Sequence, residues 1–155
     1  MSKSPQSDER IVVVSNRKAR HEYFIEETLE AGIALKGTEV KALRGHLGNL
    51  QDSYAAIRDG SVWLVGMHIN QFEKGNINNH DPKRERRLLL HKREIRRLQT
   101  RVIDKGLTLV PLSVYILKNI IKIELAIARG KKAYDKRESI AKRDAEREMR
   151  RREPQ

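Results

Sequence analysis

The chain has 155 residues, a net charge of +12 and no cysteine. This length suffices for one domain with one modest core, and the lack of cysteine excludes disulfides and thiolate metal sites. The charge favours a polyanionic partner, RNA or DNA before an anionic membrane. It is concentrated in residues 83–105, with ten basic and three acidic residues, and in residues 130–155, with ten basic and six acidic residues. Solvated helix faces can be equally basic, so charge alone does not establish the partner.

The first two strands are predicted from their apolar patterns. The first ten residues are polar and expected to be disordered, and the β-branched run at 11–14 predicts a strand that leads into a polar segment at 16–20. Apolar residues then alternate with polar ones over residues 25–35. This alternation predicts a strand with Glu30 facing outward and, on the opposite side, the apolar residues Ile25, Leu29, Ala31, Ile33 and Leu35.

A short helix and a hairpin follow. Residues 39–44 are predicted to be helical, with Gly45 in the left-handed conformation at the helix end. The pair Asp59-Gly60 lies between two strand-like segments, residues 54–58 and 61–65. Because both residues tolerate positive φ, this pair predicts a two-residue hairpin turn.

A basic helix is predicted over residues 92–105, closed by Gly106. One side is basic, and the other carries an apolar stripe of Ile95, Leu98 and either Val102 or Ile103. The leucine triplet at 88–90 precedes this helix among several arginines. The triplet could be a buried segment, or it could present one exposed leucine to a nucleobase, and spacing alone leaves both interpretations open.

Two further strands are predicted over residues 107–128, around a turn at Lys118-Asn119. In the second strand apolar residues alternate with Lys122, which should project away from the core. Six or more short strands with two or three helices predict a mainly β fold. We expect a small closed antiparallel barrel, partly similar to the oligonucleotide-binding (OB) fold, over residues 11–130.

Residues 131–155 are predicted to form a basic tail without an apolar stripe. Acid-to-base pairs at i,i+4 favour helix by only about 0.2–0.5 kcal/mol each, which cannot hold an isolated helix. The tail is therefore expected to be disordered when free and helical when bound. Tyr134, its only aromatic residue, lies between lysines and could stack on a base.

The sequence predicts neither an enzyme nor a metal site, and no cofactor is expected. His21-Glu22 begins like the zinc motif H-E-x-x-H, but position 25 is isoleucine, and no nucleophile elbow or phosphate loop occurs. No signal peptide or membrane segment is expected either, which predicts a cytoplasmic protein. For Tyr23, Tyr54 and Trp63, ordinary strand packing is favoured over base stacking.

Six segments occur in the order and at the spacing of a known family: NRKARHEYFI (16–25), EAGI (30–33), GTEVK (37–41), NHDP (79–82), KREI (92–95) and GKKAYDKR (130–137). Over residues 11–140 the chain thereby resembles the small protein B family of bacterial tmRNA-binding proteins. The turn at Lys118-Asn119 departs from this resemblance, because it lacks an expected glycine.

The resemblance implies a role in rescuing stalled ribosomes by trans-translation. The barrel would bind the tRNA-like domain of tmRNA as a monomer, one per tmRNA. With elongation factor Tu, the complex would deliver alanyl-tmRNA to the ribosomal A site, where the protein replaces the anticodon stem and codon. The tail would become helical in the empty mRNA channel of the small subunit. The alternative is a generic single-stranded nucleic-acid-binding protein of the OB type.

The resemblance and the neighbouring cations predict two sets of functional residues. The resemblance itself places Asn16, Glu30, Leu89 and Lys122 on tmRNA-contacting positions, and Tyr134 at the decoding centre. The full RNA-binding set is Asn16, Arg17, Tyr23, Glu30, Arg84, Arg86, Arg87, Leu89 and Lys122. The set for the decoding centre and mRNA channel is Lys131, Lys132, Tyr134, Asp135, Lys136 and Arg137.

Overall fold

The computed structural model describes residues 9–71 and 79–131, which form nine strands and three helices. The first eight residues and positions 132–155 of the predicted tail lie outside the described residues, so the predicted domain boundaries stay predictions. In chain order the elements are β1 (Ile11–Ser15), α1 (Arg17–Glu22), β2 (Tyr23–Ile33), α2 (Gly37–Arg44), β3 (Gly48–Asn49), β4 (Tyr54–Arg58), β5 (Ser61–Val65), β6 (His68–Ile69), β7 (Arg86–Leu89), α3 (Lys92–Lys105), β8 (Thr108–Leu117) and β9 (Ile120–Gly130).

Seven strands form one antiparallel sheet in the order β1-β8-β4-β5-β7-β2-β9. Strand β9 also pairs with β8 from Thr108↔Ala128 to Leu117↔Ile120. The pairings of β8, β4, β5, β7, β2 and β9 therefore close into a ring, and β1 is added beside β8. Strands β3 and β6 form a separate two-stranded sheet. The mainly β class with two or three helices is confirmed.

The main core lies on one face of this sheet. Strand β9 contributes alternate residues to it, as predicted, and β5 contributes Val62 and Leu64. Helix α3 adds Ile95, Leu98 and Val102, whereas Ile103 is 76% exposed. The alternative left open for the apolar stripe of α3 is thus resolved in favour of Val102. The β9 members of this core are Ile121, Ile123, Leu125 and Ile127.

A second apolar cluster lies on the opposite face of the sheet, beneath α1. It consists of buried Ala19, Val110, Leu112, Ala126 and Ala128, with Tyr23 and Ile25 packed against it. Helix α1 occupies residues where the sequence indicated only a polar segment. Six residues are too few to show helical periodicity, but Asn16 caps the helix, since its Oδ1 accepts a hydrogen bond from the Ala19 amide.

The prediction that Ile25 shares a face with the core residues of β2 is wrong. A β-bulge interrupts the pairing of β2 with β9 between Ile25 and Glu27. One extra residue in a strand reverses the side to which the residues before it point. Tyr23 and Ile25 therefore lie on the face of Glu30, opposite the main core.

The two predicted turns are confirmed, and both use positive φ. Asp59 and Gly60 have φ of 52° and 73°, and Lys118 and Asn119 have φ of 50° and 65°. Positive φ at both central residues gives a turn whose twist matches its flanking strands. The second turn forms without glycine and sets the register in which Lys122 pairs with Tyr115.

The helix ends agree with the sequence at α3 but not at α2. Gly106 closes α3, as predicted, and its conformation is left-handed. Gly45 has φ of −87°, and its amide continues the helix by donating to the Lys41 carbonyl at 3.2 Å. The left-handed residue is instead His46, with φ of 61°, and histidine is enriched at such positions among residues other than glycine.

Gly48 in β3 is packed so closely that an added side chain would displace its neighbours. A Cβ there would lie 2.8 Å from Leu43 Cδ2 and 2.9 Å from Val14 Cγ2. We expect Gly48→Ala to lower the free energy of unfolding by about 1–3 kcal/mol, since overpacking displaces core neighbours. Urea unfolding measures the change. Gly37→Ala, where an added Cβ meets nothing within 4 Å, is the matched control, and equal unfolding midpoints for the two variants would contradict the prediction.

Candidate nucleic-acid interface

Four residues lie side by side across the face opposite the main core. Leu89 of β7 pairs with Gly32 of β2, Gly32 with Lys122 of β9, and Lys122 with Tyr115 of β8. We call Leu89, Gly32, Lys122 and Tyr115 the outer row. Leu89 is 52% exposed whereas Leu88 is 1% exposed and belongs to the core. The leucine triplet therefore presents one leucine outward, which was one of its two interpretations.

Gly32 leaves room for Leu89 to lie over the backbone of β2. A Cβ at position 32 would be 3.1 Å from the Cβ of Leu89, so an alanine there would press on the leucine. Gly32 thus lies between the exposed leucine on β7 and Lys122 on β9, so an apolar side chain and a cation flank it on the outer row.

Glu30 lies beside the outer row and is held by three of its neighbours. The Lys122 ammonium donates to Glu30 Oε1 at 2.8 Å, and the Tyr115 hydroxyl donates to Oε2. Arg10 places its guanidinium 4.5 Å from the Tyr115 ring centroid and 3.8 Å from Glu30 Oε2. The hydrogen bond from Lys122, followed by that from Tyr115, lowers the pKa of Glu30 despite partial burial.

The Tyr115 hydroxyl is a fixed donor. Burial, followed by its hydrogen bond to Glu30, raises the pKa of Tyr115 well above its usual value. Glu30 is therefore a carboxylate and Tyr115 a neutral phenol at neutral pH. A carboxylate has about four acceptor positions on its two oxygens. Because Glu30 is partly exposed, it can still accept a hydrogen bond from a ligand.

Helix α1 continues this face beyond the outer row. A groove between α1 and the sheet is lined by Arg17, Arg20, Ser113 and Glu124, among others. Both arginines are exposed. The predicted RNA-binding residue Arg17 therefore lies on the same face as the outer row.

Asn16 lies beneath this helix rather than on its surface. It is 7% exposed, and its Nδ2 donates to the Pro111 carbonyl at 2.8 Å and to the Leu50 carbonyl at 3.4 Å. Its side-chain oxygen caps α1. We therefore expect Asn16 to affect ligand binding indirectly, by holding α1 in place.

Two tyrosines border a separate cleft of about 350 Å³ on the other side of α1. Tyr23 is half-buried against the second apolar cluster, and Tyr54 is exposed. The strand-packing interpretation therefore holds for most of the Tyr23 ring. The RNA contact predicted for Tyr23 stays a prediction.

The three arginines of the 84–87 segment point to different places. Arg87 is exposed on the outer face, and Arg84 is partly buried. Arg86 is 0% exposed, so it is not available for the RNA contact that the sequence predicted. Strand alternation explains this correction, because Arg86 points to the same side as Leu88 of the core.

A buried network around Glu39 occupies Arg86 and part of Arg84. Arg86 Nε donates to Glu39 Oε2, and Arg84 Nη2 donates to Oε1 at 2.5 Å. Arg86 also donates to the carbonyls of Met67 at 2.8 Å and Pro82 at 3.1 Å. Burial alone would raise the pKa of Glu39, but the hydrogen bonds from Arg84, the Lys36 amide and Arg86 outweigh it and hold the pKa below its usual value.

The basic side of α3 is partly neutralised by β2. Arg97 donates to Glu27, and Arg101 lies 3.1 Å from Glu26 and 3.5 Å from Glu27. Arg129 of β9 is also 2.9 Å from Glu26. These cations tie α3 to the sheet, so the helix offers a polyanion fewer free charges than its sequence indicates.

The structure unites some predicted residues and separates others. Glu30, Leu89 and Lys122 meet on one surface, Arg17 and Arg87 lie on the same face, and Asn16 and Arg86 lie inside. Lys131 ends the described part of the tail, with its Nζ 4.9 Å above the Phe24 ring and 3.3 Å from the Arg20 carbonyl. Outside the described residues lie Lys132, Tyr134, Asp135, Lys136 and Arg137.

Sequence reasoning missed Gly32, Tyr115 and Arg10. The first two pair with Leu89 and Lys122, so the strand register could have identified them. The turn at Lys118-Asn119, once assigned, places Tyr115 opposite Lys122. Arg10 gave no signal, because it precedes the first strand.

Within residues 9–71 and 79–131, no three potential ligands from His, Asp and Glu come together to hold a metal ion. In the same part of the chain, every helix is too short or too polar to span a bilayer.

The fold and its outer face have the character of an RNA-binding β-sheet surface, in which cations and an exposed apolar group surround a carboxylate that can accept hydrogen bonds. The chain matches the SmpB protein family over residues 13–155. It belongs to that family, as the resemblance predicted.

Similar proteins agree with this assignment. The SsrA-binding protein of Caldicellulosiruptor bescii is 60% identical over 151 residues, which cover 97% of this chain and 95% of that protein. The SsrA-binding protein of Acetivibrio thermocellus is 59% identical over 145 residues, with 94% of each chain covered. A chain in the solved structure "tmRNA-SmpB: a journey to the center of the bacterial ribosome" is 52% identical, with a TM-score of 0.64 over 76% of this chain and 82% of that one.

Proposed function

We propose that this protein binds the tRNA-like domain of tmRNA and supports trans-translation on stalled ribosomes. The sheet ring acts as a closed barrel of partly OB-like character, and the outer row with Glu30 grips the RNA. The complex delivers alanyl-tmRNA, with elongation factor Tu, to the A site. There the protein stands in for the anticodon stem and codon, and the tail enters the empty mRNA channel.

Two kinds of observation support this proposal. The chain belongs to the SmpB family, and its relatives are named SsrA-binding proteins. The similar chain of known structure comes from work on tmRNA, SmpB and the bacterial ribosome. In this proposal the protein is a cytoplasmic adaptor without catalytic activity, and one monomer binds each tmRNA.

The outer row is the single observation that carries the RNA-binding part. An exposed leucine can contact a nucleobase, Lys122 can reach a phosphate, and Glu30 can accept a hydrogen bond from a base amino group or a 2′-hydroxyl. A hydrogen bond from a 2′-hydroxyl to Glu30 would distinguish RNA from DNA. A protein that bound polyanions only by charge would gain nothing from a carboxylate fixed among its cations.

Filter binding to tmRNA tests the proposal, with bulk tRNA and an unrelated polyanion as competitors. We expect labelled tmRNA to stay bound at competitor concentrations at which unlabelled tmRNA displaces it. Equal displacement by all three would favour the generic single-stranded nucleic-acid-binding protein, for which charge supplies most of the affinity.

Leu89→Ala is expected to weaken tmRNA binding about tenfold, on the hypothesis that Leu89 is one of the few interface residues whose truncation costs more than about 1 kcal/mol. The free energy of unfolding should change by no more than about 0.5 kcal/mol, because the side chain is half exposed. Filter binding and urea unfolding measure the two effects. Ile103→Ala, which removes an equally apolar and more exposed side chain from α3, should bind normally, and equal losses in both variants would refute the role of Leu89.

A further inference from the structure

The outer face continues past Leu89 to the only tryptophan of the chain, Trp63. Trp63 of β5 pairs with Arg87 of β7 on one side and with Ala56 of β4 on the other. Its strand neighbours Val62 and Leu64 are in the core, so the indole points outward. Arg87 and Leu89 are two residues apart on the same side of β7, about 7 Å at the rise of a strand.

A charged group lies over the Trp63 ring. The guanidinium of Arg58 lies 5.8 Å from the ring centroid and is held there by an ion pair with Glu85. Arg87, the cross-strand neighbour, is exposed and has no ion-pair partner within the part of the chain that the structure describes. Arg58, Trp63 and Arg87 thus form what we call the tryptophan patch, with one net positive charge left after Glu85 is counted.

We propose that the tryptophan patch is a second RNA contact, where an unpaired nucleotide stacks on Trp63 or on the Arg58 guanidinium above it while Arg87 binds a neighbouring phosphate. This inference rests on the proposed function, because the RNA concerned is the one gripped by the outer row. Aromatic rings and guanidinium planes both stack on splayed bases. The positive charge of the patch and its continuity with Leu89 favour RNA over a protein partner.

Tryptophan fluorescence reports on this patch directly, because Trp63 supplies the entire tryptophan signal of the full-length protein. A transcript of the tRNA-like domain of tmRNA is titrated into the protein, and binding is measured in parallel by filter retention. We expect the emission to be quenched, with saturation at the transcript concentration that saturates the filter assay.

Variants separate stacking from charge. Trp63→Leu should weaken binding at least about fivefold, the lower end of one base stack, without changing the slope of log affinity against log salt. Trp63→Phe, which keeps an aromatic face, should recover most of that loss. Arg87→Gln should lower the slope by about 0.7–0.9, the value of one phosphate contact. Arg93→Gln, on the exposed side of α3, is the matched control and should keep the wild-type slope. Thermal unfolding confirms that each variant is folded.

The outcomes separate this inference from the proposed function. Two results together would overturn the tryptophan patch: the emission of the wild-type protein is not quenched by the transcript, and the Trp63→Leu and Arg87→Gln variants bind the transcript with wild-type affinity. Both results would leave tmRNA binding by the outer row intact. Quenching by elongation factor or ribosomal protein, but not by the transcript, would reassign the patch to a protein partner and also overturn it. If neither wild type nor variants retained the transcript, both proposals would fall together.

Discussion

Removing residues 132–155 is expected to abolish the tagging of stalled chains while the affinity for tmRNA stays close to that of the full chain. The truncated protein keeps the sheet ring and the outer row. It also keeps Lys131, which follows β9 and places its ammonium over the Phe24 ring of β2. What it loses is a segment with nine basic and six acidic residues, which the proposal places in the mRNA channel. Translation in vitro of a message without a stop codon measures tagging, and filter binding measures affinity.

A scrambled tail is the matched control for this truncation. It keeps the length and the charge of residues 132–155 but moves Tyr134 away from its flanking cations. If the charge of the tail were sufficient for its role on the ribosome, the scrambled tail would restore tagging. Normal tagging by the truncated chain would contradict the tail's proposed role, and loss of tmRNA binding would contradict the division of labour between tail and sheet.

Glu39→Gln is expected to lower the free energy of unfolding by about 3–5 kcal/mol, because it leaves the buried Arg86 without its counter-charge. Both side chains of this pair are fully buried. Urea unfolding followed by circular dichroism measures the loss. Glu85→Gln is the matched control, since Glu85 pairs with Arg58 at the surface and such pairs contribute at most about 1 kcal/mol.

The double change Glu39→Leu with Arg86→Met separates a charge effect from a packing effect. Replacing a buried ion pair by apolar residues of similar volume is often neutral or stabilising. We therefore expect the double variant to be more stable than Glu39→Gln. If it were as unstable as the single variant, the shape of the site, rather than an unpaired arginine, would account for the loss.

The buried carboxylate of Glu39 also makes the free energy of unfolding depend on pH. The pKa of Glu39 in the folded protein lies below its usual value of 4.5, so the unfolded chain binds the proton more readily. The stability that Glu39 contributes is present above pH 4.5 and is lost as the pH falls through the folded-state pKa. Free energies of unfolding between pH 7 and 3 should fall for the wild type, and more steeply than for Glu39→Gln.

Local patterns in the sequence predicted much of the fold. The Asp59-Gly60 hairpin, the Gly106 helix end and the alternation in β9 each depend on a few neighbouring residues. The exchange of faces at Ile25 could not be predicted, because an extra residue is recognised only when the partner strand is aligned beside it. Helix α1 was missed for a related reason, since it is stabilised by packing on the second apolar cluster rather than by its own pattern.

The candidate site, like the fold, has residues that the sequence predicted correctly and residues that it did not. The family resemblance singled out Glu30, Leu89 and Lys122, and the structure brings them together. The sequence assigns Arg84, Arg86 and Arg87 alike to RNA binding, although strand alternation alone separates Arg86 from Arg87. The carboxylate that neutralises Arg86 is 47 positions away in the chain, and no local pattern connects the two.

The bulges in β2 and β8 make chain length at two points as critical as any side chain. Strand β8 has its own irregularity between Pro111 and Ser113, and that extra residue turns Tyr115 toward Glu30. Deleting one residue at either bulge would leave composition and charge nearly unchanged. The side chains on one side of the deletion would nevertheless move to the opposite face of the sheet, and Tyr23 or Tyr115 would then point toward the main core. Evolution of this surface should therefore accept substitutions at both points far more readily than single-residue gaps.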